Sequence, residues 1–191
     1  MKHTGPIWAA VLALAMLAGC AATPGRVFQT KPVESLNLKH ETALKGYDPV
    51  AYFEDGAPAA GNPAIDYHWQ GATWYFTTAA HRDEFAANPA RYAPQYGGYC
   101  AYAISRGKTA DADPNQWAIV GGKLYVNNNP LAKALWDQSQ HASIVAGNAN
   151  WPLIPKYAAG SPPPAAAAGS APAAAAESAP SAAASASQSV P

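Results

Sequence analysis

The chain has 191 residues, 49% of them hydrophobic, and its twelve basic and twelve acidic side chains balance to a net charge of zero. No basic cluster breaks that balance, so no nucleic-acid partner is expected, since such binding rests on phosphate neutralisation. Nearly all the aromatic residues and most of the charged ones fall between residues 42 and 157, a block the size of one domain with one hydrophobic core.

The N-terminus opens with Met1, Lys2 and His3, runs through an apolar stretch from Ile7 to Leu17 and ends in Leu17-Ala18-Gly19-Cys20, which is the layout of a secretory signal. That apolar stretch is too short to span a bilayer. Its last four residues resemble the lipobox of bacterial lipoproteins. The resemblance implies a signal peptide over 1–19 and lipidation of Cys20. With Ala21 and Ala22 in place of an acidic residue, it also implies attachment to the periplasmic face of the outer membrane. Residues 20–41 then serve as lipid anchor and linker.

Within the block, Asp48 in Gly46-Tyr47-Asp48-Pro49 fits an Asx-type turn that starts a strand at Val50, and its carboxylate also qualifies as a base or ligand. In "DYHWQGATWYF" a Gly71-Ala72 loop suits a type II′ hairpin that pairs Tyr67 with Phe76, His68 with Tyr75 and Trp69 with Trp74. Alternation then puts Tyr67, Trp69, Trp74 and Phe76 on the core face and His68 on the polar one. "TTAAHRDEFAANP" predicts a helix over 79–87, capped by Thr78 and stopped at Asn88-Pro89. Its His81 and Phe85, four apart, share one face directed at the core or its edge.

The double glycine of "QYGGYCAYA" permits a tight turn, after which "YCAYAISRG" reads as a short helix closed by Gly107, with Cys100 in its first turn. Amides there favour a thiolate, while Ala103 and Ile104 lean the sulfur toward the apolar side. "WAIVGGKLYV" repeats the hairpin device through a type I′ turn at Gly121-Gly122 and places Trp117, Ile119, Leu124 and Val126 on one side. A helix follows from the Asn129 cap and Pro130 to a stop at Gly147. Leu131, Leu135 and Trp136 face inward and His141 faces solvent. Residues 158–191, rich in Ala, Pro, Ser and Gly with Glu177 as the one charge, bury too little apolar surface to offset ordering entropy and are expected to form a disordered tail. The fold class expected is therefore a small α+β domain of short antiparallel hairpins covered by three short helices.

Taken together, "GYDPVAYF", "GATWYF", "HRDEFAANPARYAPQYGGYCAYA", "DPNQW", "GGKLYVNNN" and "NWP" resemble the YHS domain in the version found on secreted bacterial proteins. The resemblance covers nearly the whole block. It implies a metal-binding α+β domain with Cys100 as principal ligand and His81, just before Arg-Asp-x-Phe, as the second. YHS-like domains also accompany heavy-metal pumps, which makes a metal-handling or envelope protein the partner to expect beside the membrane.

The cysteine pair that makes some YHS relatives look like zinc sites is missing, and structural zinc takes four ligands, so zinc is disfavoured. Thiolate selects a soft ion such as Cu(I), and Tyr47, Asp48 and Tyr99 would line that site. Two other readings stand beside this one. In the first, the chain is a non-catalytic envelope interaction or structural lipoprotein with Cys100 as a small core residue. In the second, Cys100 is a redox-sensing thiol or nucleophile, although no Cys-x-x-Cys and no recognisable catalytic constellation accompanies it.

Overall fold

The computed structural model describes residues 27–28 and 31–163. Leading in are β1 (Val33–Glu34), β2 (Leu38–Lys39), β3 (Thr42–Ala43) and α1 (Ala51–Glu54). A hairpin of β4 (Asn62–Trp69) and β5 (Ala72–Phe76) precedes α2 (Ala79–Ala87), α3 (Pro89–Tyr92) and α4 (Ala101–Ser105). A second hairpin, β6 (Asp113–Val120) and β7 (Lys123–Asn127), is followed by α5 (Pro130–Gln138), α6 (Gln140–Asn150) and β8 (Lys156–Tyr157). The fold is a small α+β domain, and its sheets order as β2-β3-β5-β4, β6-β7 and the parallel pair β1-β8.

The first hairpin turns one residue earlier than the glycine-first loop predicts. Gln70 (φ 53°) and Gly71 (φ 76°) form the loop, so Trp69 pairs with Ala72, His68 with Thr73 and Tyr67 with Trp74. Two left-handed residues in succession make a type I′ turn, whose twist matches the strands. The register therefore slides by two residues, and an even slide leaves every side chain on its predicted face. Trp74, Phe76 and Phe85 are accordingly buried in one aromatic core, with Phe85 from α2 set against the rings of Tyr67, Trp69, Trp74 and Phe76 at centroid distances of 6.1, 5.8, 5.0 and 5.3 Å.

The second hairpin has the predicted turn, with Gly121 and Gly122 both at positive φ and Ile119 opposite Leu124. Both of its faces are used. Leu124 and Val126 enter the first core, whereas Tyr125 on the opposite face enters a second one with Tyr96, Ile104, Trp136 and Ile154. The hairpin is thus a partition between two apolar clusters.

Three local expectations are corrected. The single helix expected from Pro130 to Gly147 is two helices broken at Ser139 (φ −131°), and α6 runs through Gly147 to Asn150. Trp136 is fully buried, but Leu131 in the first turn of α5 is 69% exposed. Val50 leads into α1 rather than a strand. The folded unit also extends beyond 42–157. Val33 and Glu34 pair with Lys156 and Tyr157, Leu36 is buried, and the Ala159 amide donates to Ser35 Oγ at 3.1 Å. The signal, Cys20 and the tail from residue 164 onward lie outside the described residues.

Candidate functional site

Among the described residues Asp48 is a carboxylate with 0% exposure that gathers five hydrogen-bond contacts. Its Oδ1 accepts from the amides of Val50 (2.8 Å) and Ala51 (3.3 Å), the Asx-type turn expected here, which starts α1. Oδ2 accepts from the Thr77 amide (2.8 Å) and hydroxyl (2.7 Å) and lies 2.7 Å from His81 Nδ1. A buried carboxylate is tolerated only when its lone pairs are satisfied, and five contacts from three segments of chain do so.

Sequence chemistry places each partner. Thr78 caps α2 by accepting from the His81 amide at 3.1 Å, which sets His81 at the third helical position, and Thr77 is left at the end of β5 beside Asp48. Phe85, one turn on, is pulled into the first core, so the His81 ring lies along the core edge with 13% of its side chain exposed. His68, by contrast, is exposed on the polar sheet face, 3.5 Å from Asp66.

Cys100 occupies a different setting. The turn before it is as tight as expected, with Gly97 at φ 62° and a Cβ there running into the Ser35 carbonyl oxygen, so only glycine fits. Cys100 itself is the N-cap of α4 rather than a first-turn residue, and it is 1% exposed. Its amide donates to the Ala110 carbonyl at 3.0 Å, and Sγ lies 3.8 Å from Oδ1 of the fully buried Asn127. Asn127 Oδ1 also accepts the Tyr102 amide at 3.0 Å, while its Nδ2 has no hydrogen-bond partner.

The structure therefore brings Asp48 and His81 together, and among the described residues Cys100 shares no hydrogen-bond partner with either. Tyr47 forms a bridge with Ala60, and its hydroxyl is 3.5 Å from Asn115 Nδ2. Tyr99 donates its hydroxyl to the Glu34 carbonyl (3.1 Å) and packs on Trp151. Burial, together with the negative charges of Glu34 and Asp111, pushes the Tyr99 phenol up to about 12. Among the described residues no group of three or more His, Cys, Asp or Glu side chains is arranged to hold a metal ion, and no helix is long and apolar enough to cross a membrane.

Sequence reasoning missed Thr77 and Asn127. Thr77 carries no signal of its own, because its role exists only once β5 meets the Asp48 turn. Asn127 does carry one, a polar residue at an inward position just after Leu124-Tyr125-Val126. Comparison with protein-family models, curated proteins and solved structures returns no match.

Proposed function

We propose that this chain is a membrane-anchored YHS-like domain of the cell envelope that binds a soft metal ion such as Cu(I). The observation that supports this most directly is the buried Asp48–His81 pair at 2.7 Å, because a carboxylate behind an imidazole is the usual support for a metal-ligating histidine. His81 is then the ligand that the fold holds ready. Cys100, buried at the α4 cap, stands as a separate candidate ligand, and zinc, which wants four ligands, remains disfavoured. Anaerobic competition with a Cu(I) chelator on wild type, Cys100→Ala and His81→Ala tests the assignment. Loss of affinity in His81→Ala supports it, and Cu(I) affinity equal in all three removes it.

The proposal includes lipidation at Cys20, with a metal-handling or envelope protein as partner. Cys20→Ser should release the protein from the membrane fraction and abolish uptake of labelled fatty acid. A wild type that takes up no label removes the anchor.

A second reading is favoured by Cys100 itself. With 1% exposure and a buried amide beside its sulfur, Cys100 acts as a core residue of a non-catalytic interaction lipoprotein. A wild-type domain that binds no Cu(I) while keeping its fold selects this reading.

A further inference from the structure

We propose that Asp48 is a positioning residue, which holds the His81 imidazole with its proton on Nδ1 and so presents Nε2 as the free lone pair of the ring. The argument is an accounting of hydrogen-bond donors. Asp48 Oδ2 already accepts from the Thr77 amide and from the Thr77 hydroxyl, at 2.8 and 2.7 Å. Having given its one proton to Asp48, Thr77 Oγ1 is an acceptor toward its other neighbour, His81 Nδ1, at 3.2 Å. Both atoms facing Nδ1 are thus acceptors, and the 2.7 Å contact between Nδ1 and Oδ2 needs a proton from the ring. In a neutral imidazole that leaves Nε2 unprotonated, and Nε2 takes part in none of these bonds.

The ring has no easy alternative. Its backbone is fixed by the Thr78 cap, and the carboxylate is fixed by the Val50 and Ala51 amides on its other oxygen. A rotated imidazole would strand Oδ2 with one donor fewer in a site with 0% exposure. Three segments, 48–51, 77–78 and 81, therefore converge to define one tautomer. The ligand taken at Nε2 is a soft metal ion. That part rests on the metal-binding reading above, whereas the tautomer does not.

The test uses the full mature chain labelled with 15N-histidine, at a pH where imidazole is neutral, with His81→Gln identifying the His81 resonances. Wild type should show Nδ1 protonated and Nε2 bare. Asp48→Asn, which turns a donor toward the ring, should move the proton to Nε2 and weaken Cu(I) binding by about ten- to a hundredfold in chelator competition. Thr77→Val, which keeps the carboxylate, should retain the wild-type tautomer and serves if Asp48→Asn does not fold. A proton on Nε2 in wild type overturns the positioning role, as does a tautomer unchanged in folded Asp48→Asn or lost in Thr77→Val. The predicted tautomer with equal Cu(I) affinity in wild type and His81→Gln overturns the metal reading and leaves the positioning role standing.

Discussion

The Tyr96 hydroxyl fills the space that a side chain at position 147 would occupy: a Cβ on Gly147 would stand 2.6 Å from Oη. The ring is buried between Tyr125 and Trp151, and the hydroxyl meets the Ile144 carbonyl and Asn148 Oδ1 at 3.3 and 3.0 Å. Gly147 is therefore a contact residue inside a helix. Gly147→Ala should destabilise by about 1–3 kcal/mol through overpacking, against the roughly 1 kcal/mol that alanine gains over glycine in a helix. Urea unfolding checks this, and in a double-mutant cycle Tyr96→Phe, which removes the clashing oxygen, should relieve part of the loss.

Phe85 touches four other aromatic rings and has 0% exposure. Phe85→Ala should cost about 3–5 kcal/mol, and it should shift the denaturation midpoint more than any surface substitution on α2.

The Cys100 thiol, 1% exposed at the α4 cap, should resist alkylation by iodoacetamide in the native protein and react fully in denaturant. Cys100→Ala should fold and lose about 1 kcal/mol, the cost of a small cavity beside Asn127. A native thiol that reacts as fast as free cysteine would contradict the burial.

Ending the chain after Pro155 removes β8, the partner of β1, and with it the Ala159 amide that donates to Ser35. Such a truncation should lower the melting temperature, whereas ending it after Pro163 should leave it unchanged. Thermal melts of the two truncations separate these outcomes.

Stability should fall in strong alkali. Burial raises the Tyr99 phenol from 10.0 to about 12 and pushes Tyr52 and Tyr96 up as well. A raised folded value gives stability that is fully present below about 10, the value in the unfolded chain, and is lost as pH rises through the folded value. Unfolding should steepen across that window, and Tyr99→Phe should flatten part of the slope. Ultraviolet titration of the phenolates reads the same groups.

Local chemistry was legible in the sequence where one residue type has one use. The Thr78 and Asn129 caps, the bounds of α2 and the double-glycine turns all stand as read. The first hairpin shows why a wrong turn can leave a right face, since parity survives a slide of two residues. What failed depends on partners distant in sequence. Gly147 looks like a stop until Tyr96 is seen against it, and Leu131 looks like core until α5 turns it outward. Val33 and Glu34 read as linker because the strand that receives them, β8, lies at the far end of the domain. In the site, Asp48 and His81 were both singled out, but their pairing across 33 positions is a product of β5 packing beside the Asp48 turn.

The parallel pairing of β1 with β8 also has a mechanical meaning. Tension applied between the chain leading into Val33 and the chain leaving Tyr157 draws the two strands along each other in opposite directions, so their cross-links are loaded together in shear rather than peeled one by one. The cross-links from Val33 to Pro155 and from Ser35 to Tyr157, at 3.0 and 2.8 Å, share that load with the Phe28 amide on the Gly107 carbonyl and with the packing of Val27 on the second core and Ala159 on the first. A domain held at one end and pulled at the other is thus loaded along this clasp, and the Asp48–His81 pair lies on neither of the two strands that bear the pull.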